Sequence, residues 1–156
     1  MLSPVRILVV GSGDLAARAF ARLAKRSEMA VAQLTDAPAA AHICRVAPAE
    51  LLPHAIIVES RCLATPDHRA LRAMMDIAPV VVLGLDPGPD DVLEALRLGA
   101  RGHVDWPRED DARLEGAIWT VLAGHPALSP LITLRILDVL FRPSAGAPDV
   151  GEAYRV

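Results

Sequence analysis

The stretch PVVVLGLDPGPDDVLEALRLGARGHVDWPREDDARLEGAIWTVLAG, residues 79–124, alternates two kinds of pattern. Residues 80–84 (VVVLG) contain no polar side chain, as expected of a strand buried on both faces. DPGPDD then breaks the chain. DVLEALRLG over 91–99 spaces its apolar residues for a helix and ends on Gly99, a common helix stop. GHVD (102–105) reads as a short strand. Residues 109–123 read as a helix, with acidic residues at its start, where they favour the helix dipole, and Gly124 at its end. Two strand–helix units in succession imply parallel strands joined by right-handed crossovers.

The same rhythm runs back to the N-terminus. RILVV (6–10) reads as a buried strand, and residues 14–26 as a helix with Leu15, Ala19 and Leu23 at helical spacing. AVAQL (30–34) is a second strand. An Ala-rich helix over 38–46 starts at Pro38, a residue suited to a first helical position. AIIV (55–58) is a third strand. Thr65 is expected to cap a helix that Pro66 opens and that runs to about Met75. With the two units above, this makes five β–α units and a parallel sheet with helices on both faces. A further helix begins near Ser129–Pro130 and ends near Phe141, and RPSAGAPDVGEAYRV reads as linker.

Composition narrows the function. The chain has 156 residues, enough for one domain with its own core. With 53% apolar residues and only 3% aromatic ones, that core is built from Ala, Val, Leu and Ile. A net charge of −3 without a basic run gives no footprint for nucleic acid. Cys44 and Cys62 have neither metal nor redox spacing and read as reduced, buried thiols. The histidines at 42, 54, 68, 103 and 125 are scattered, so no metal is expected. Neither G-x-S-x-G nor an evident Cys–His pairing is present, and no enzymatic activity or cofactor is expected. No apolar run is long enough for a signal peptide or a membrane span, which predicts a cytoplasmic protein.

One motif admits two readings. Gly11-Ser12-Gly13-Asp14-Leu15-Ala16 fits G-x-G-x-x-A between a strand and a helix, and Asp36 ends the second strand, where a ribose-binding acid belongs. Gly11, Gly13 and Asp36 would then make a small nucleotide site. Against this, Asp14 would face the phosphates, and only five short strands are on offer.

The other reading comes from residues 79–130, which resemble the second half of a bacterial response-regulator receiver domain of the NarL/LuxR type. There a strand ending in Ser or Thr leads to a helix of DVLEALRAGA character, then G-Y-L-x-K, a last helix ending in A-G, and LSP. The resemblance covers about residues 5–140. It implies a flavodoxin-like or CheY-like (βα)5 sheet of strand order 2-1-3-4-5, with an extra C-terminal helix.

A working receiver carries an acidic pair after strand one, an Asp ending strand three, a Ser/Thr after strand four and a Lys after strand five. The resemblance places Gly11 and Ser12 at the acidic pair and Glu59 at the phosphoacceptor. Gly84 falls at the Ser/Thr, Trp106 at the Lys, Pro107 at the proline that follows and His103 at the aromatic switch position. Lys25, the only lysine, falls on the first helix. Neither Gly11 nor Ser12 offers a carboxylate to a hard cation. The pocket is therefore expected to be degenerate, an atypical or pseudo-receiver. Glu59 reads either as a fixed mimic of the phosphorylated state or as a hydrogen-bonded strand-end acid. Trp106 reads as a plug of the emptied pocket or a stacking plate for a ligand or partner, with Asp105 beside it solvated.

These readings divide the chain into a receiver-like domain (1–124), a linker or dimerisation helix (125–142) and a flexible tail (143–156). Leu131, Leu134, Ile136, Leu137, Val139, Leu140 and Phe141 make the last helix too apolar to stand alone. It either joins a homodimer or packs on its own sheet edge. The expected function is signal transduction or transcriptional regulation without phosphorylation, through dimerisation and contacts with other signalling proteins. DNA would be reached only through a separate output domain, and no membrane partner is expected.

Overall fold

In a computed structural model, residues 2–65, 67–106, 108 and 110–143 are described. The strands are β1 (Val5–Val10), β2 (Met29–Leu34), β3 (Ala55–Glu59), β4 (Val80–Gly84), β5 (Gly102–Asp105) and β6 (Ala127–Leu128). They form one parallel sheet of order β2-β1-β3-β4-β5-β6. The first five match the expected order, and β6 extends it. Its two residues pair with Gly102 and His103.

The helices are α1 (Asp14–Leu23), α2 (Ala37–Val46), α3 (Arg69–Met75), α4 (Pro89–Leu98), α5 (Asp111–Leu122) and α6 (Pro130–Leu140). One face of the sheet packs Ile7, Val9, Ile57, Val81 and Leu83 against α1 and α5. The other packs Leu8, Val10, Ile56, Val58, Val80 and Val82 under α2, α3 and α4. The strands are apolar on both sides because both faces are covered, which is why they read as unbroken runs. Helix α6 lies on α4, where Ile132 and Ile136 meet Val92 and Leu93.

Local chemistry moves several boundaries. Helix α3 begins at Arg69, with His68 at its N-cap position, so Thr65 does not cap it. The Thr65 hydroxyl instead donates to the Asp67 carbonyl at 3.3 Å. Pro66 lies outside the described residues. Helix α1 ends at Leu23, so Lys25 sits in the turn that follows. Helix α2 begins one residue before Pro38, because the Asp36 carboxylate accepts from the Ala39 N–H at 2.8 Å and caps it. Cys44 is buried and Cys62 only half-buried; both are free. No helix among the described residues is long and apolar enough to cross a membrane.

Candidate functional site

The carboxyl ends of β1 and β3 meet around one acid. Strand β3 is buried throughout, and its last residue, Glu59, is only 3% exposed. Its Oε2 accepts from the Gly13 N–H at 3.0 Å and the Ala16 N–H at 3.3 Å. These belong to the first turn of α1, whose N–H groups have no partner inside the helix and whose dipole favours a negative charge. The protein's own carboxylate therefore holds the place an external anion would take at such a turn.

The glycines fit this arrangement. A Cβ on Gly13 would land on Glu59 Oε1, and one on Gly11 (φ +150°) would lie 2.7 Å from Glu59 Cβ and 3.0 Å from Ala16 Cβ. Gly11 is also fixed through its carbonyl, which accepts from Gln33 Nε2 at 3.1 Å. Arg61 Nε stands 3.6 Å from Glu59 Oε1. Ser12 is exposed.

The ends of β4 and β5 are built differently. Gly84 pairs with Asp105 across the sheet. A Cβ there would stand 3.0 Å from His103 Cε1, so the imidazole leans into the space that a side chain at 84 would fill. His103 is 2% exposed, and its Nδ1 finds no hydrogen-bond partner among the described residues. Burial lowers its pKa from 6.5 to about 4, against the opposing pull of Asp105 and Asp91.

Asp105 is half-buried, not solvated as expected, and its Oδ1 accepts from the Asp86 N–H at 2.7 Å. Asp86 adopts φ +49°, uncommon for a side-chain-bearing residue, and Arg108 Nη1 holds its carboxylate at 3.1 Å. The loop into α4 is thus tied to the end of β5.

Trp106 is 4% exposed and lies in the core with Leu83, Val104 and Leu114. Its Nε1 donates to Asp111 Oδ1 at 3.2 Å, which satisfies the indole's only donor. Asp111 and Glu115 also meet Arg22, each 3.4 Å from its Nε, and link α5 to α1 above the indole. Pro107 lies outside the described residues.

Two clefts flank these groups. One of about 370 Å³ is lined by Ser60, Arg61, Gly84, Asp86, Asp91 and His103. Another of about 350 Å³ lies beside Gly11, Ser12, Asp36, Arg61 and Cys62. Burial raises the Cys62 thiol pKa, and Glu59 and Asp36 push it the same way.

No family model matches the chain, and no curated protein matches it. Solved structures do. A LuxR-family two-component response regulator from Aurantimonas sp. SI85-9A1 aligns with a TM-score of 0.72 at 26% identity, over 88% of this chain and 99% of that one. The chain is built as a receiver domain of the NarL/LuxR type. The signal receiver domain of the putative response regulator NarL from Mycobacterium tuberculosis has the same fold, with a TM-score of 0.63 at 19% identity over 80% of this chain and 100% of that one. So does the RcsB response regulator of Salmonella typhimurium, studied for its interaction with DNA: TM-score 0.69 and 13% identity over 89% of this chain and 68% of that one.

The receiver fold implies a divalent cation at this end of the sheet, and the residues present do not fit one. Gly11 and Ser12 supply no carboxylate, and that of Glu59 is engaged by backbone N–H groups. Among the described residues, no three of His, Cys, Asp and Glu gather to hold a metal.

The sequence-predicted residues fall into three places in this receiver. Gly11, Gly13 and Glu59 come together, whereas Asp36 is engaged in capping α2. Gly84 meets His103, and Trp106 turns away into the α1–α5 core. The sequence reading missed Arg61, Asp111, Asp86 and the tie from Asp105. A carboxylate four or five residues beyond a Trp was the available signal for Asp111. Asp86 before Pro87 signalled only a turn.

Proposed function

We propose that the chain is a phosphorylation-independent receiver module that acts in signal transduction or transcriptional regulation through dimerisation and contacts with other proteins. In a longer protein, a separate output domain would make any contact with DNA. One observation carries this reading: Glu59, at the position the resemblance assigns to the phosphoacceptor, is buried with its carboxylate on the Gly13 and Ala16 N–H groups.

Phosphoryl transfer to a carboxylate needs that carboxylate exposed, with cations beside it to take up developing charge. Glu59 fails the first, being 3% exposed with Oε2 on amides, and for the second it has the exposed Arg61 guanidinium 3.6 Å from Oε1 in place of a metal ion and a lysine. The Lys position holds an indole tied to Asp111, and the Ser/Thr position holds Gly84. The geometry fits the strand-end acid better than the mimic of a phosphorylated state, because the negative charge points into the domain.

The deciding experiment is a thermal-shift titration with Mg²⁺ and beryllofluoride, with NAD(H), NADP(H) and ATP in parallel. A ligand at a hundred times its Kd adds about 2.7 kcal/mol, or about 5–10 °C at this chain length. No shift is expected from any of them. A shift with Mg²⁺ and beryllofluoride overturns phosphorylation independence. A shift with a dinucleotide returns the turn at Gly11 and Gly13 to nucleotide binding.

A further inference from the structure

Helix α6 has two apolar faces, and only one of them is used. Ile132 and Ile136 are buried against Val92 and Leu93 of α4, and Val139 packs beside them. The opposite side carries Leu131, Leu134 and Leu137, and Phe141 follows the last turn. These are 43–79% exposed. From their exposures, they present roughly 400 Å² of apolar side chain, a size at which a single patch on a monomer is often functional. The helix thus keeps a second apolar face in solvent beside the one it buries.

We propose that α6 pairs with α6 of a second copy about a two-fold axis, through the stripe formed by Leu131, Leu134, Leu137 and Phe141. The proposal rests on the reading of the chain as a contact module and gives that reading its surface. Three observations favour a second copy over other occupants. First, the stripe supplies about half of the about 800 Å² per partner that a stable protein interface buries, and flanking residues can supply the rest.

Second, the charge on this helix does not oppose self-pairing. Asp138 is matched by Arg142 at 3.3 Å, which leaves Arg135 as its only other charge. An anionic membrane is bound by a helix rich in Lys and Arg, and α6 is not one. Third, a single straight stripe is self-complementary under a two-fold axis, where the same patch serves both partners.

The test is sedimentation of the whole chain across the micromolar range, with Leu134→Glu/Leu137→Glu beside it and Val46→Glu as a control. Val46 is an exposed apolar residue on α2, away from the stripe. All three positions are exposed, so circular dichroism and the melting curve should match the wild type. The wild type should dimerise with a micromolar Kd. The double variant should weaken the dimer on the order of 100-fold, and Val46→Glu should leave it unchanged.

A wild type that stays monomeric overturns the proposal, even if it adsorbs to vesicles or other proteins. So does a dimer that survives the double variant, because its interface then lies elsewhere. Both outcomes leave phosphorylation independence intact, since the beryllofluoride titration judges that separately.

Discussion

The two halves of the carboxyl edge of the sheet solve the same problem in opposite ways. At β1 and β3, Glu59 has its carboxylate on two backbone N–H groups of α1, and the glycines of the turn leave room for it. At β4 and β5, His103 fills the space above Gly84, and its Nδ1 is without a partner among the described residues. Burying a paired acid can hold a structure in place. Burying an imidazole with an idle nitrogen costs free energy and leaves a group that responds to its surroundings. The β1–β3 half should therefore behave as the fixed part of the domain and the β4–β5 half, though its loop is tied through Asp105, as the adjustable part.

The contrast breaks most visibly at Glu59. Glu59→Ala strands two N–H groups at a helix start and should lower stability by roughly 3 kcal/mol in chemical denaturation. Glu59→Gln keeps an acceptor in place and should lose only about 1 kcal/mol. If the two variants lose equally little, Glu59 does not fix this half.

His103 gives the next largest effect, through pH. The folded state resists its protonation, so between pH 6.5 and about 4 the unfolded chain binds more protons. Stability should fall as pH falls through that window, by on the order of 2–3 kcal/mol in total, and the contribution is fully lost below about pH 4. His103→Phe keeps the ring and should flatten this part of the profile. A wild-type profile level from pH 6.5 to 4 would place the imidazole in contact with water and erase the contrast.

The smallest effect sharpens the adjustable half. Asp105→Ala removes the acceptor of the Asp86 N–H and should cost about 1 kcal/mol. Amide hydrogen exchange should then speed up in the loop before α4 while the Gly13 amide stays protected. Equal acceleration at both places would mean the two halves move as one.

Most of the fold was legible because it rests on short-range patterns. Unbroken apolar runs such as 80–84 mark strands covered on both faces, and helix spacing with terminal glycines marks their partners. Strand β6 was not legible. Two residues, Ala and Leu, carry no alternation, and what admits them is a partner: a Cβ on Gly102 would sit 2.9 Å from the Ala127 carbonyl oxygen. The turn at Gly11 was legible as strand, turn and helix, but not as to what fills it. That depends on Glu59, which meets Gly13 across 46 positions of sequence. The cap at Asp36 hid for a different reason, since an acid ending a strand suits a ribose and a helix start equally well. Trp106 was legible as bulk at the end of β5, but its direction was set by Asp111, the first residue of the helix that follows.

Strand β6 has a practical consequence for anyone shortening this protein. Its Ala127 N–H bonds to the Arg101 carbonyl at 3.0 Å, and the helix behind it shields Val92 and Leu93. A chain cut after Gly124 would keep every receiver element before that point and lose both covers. The free edge of β5 and the bare side of α4 would then lie next to each other. Such an edge invites pairing with any other extended chain, so the trimmed domain is the form expected to aggregate.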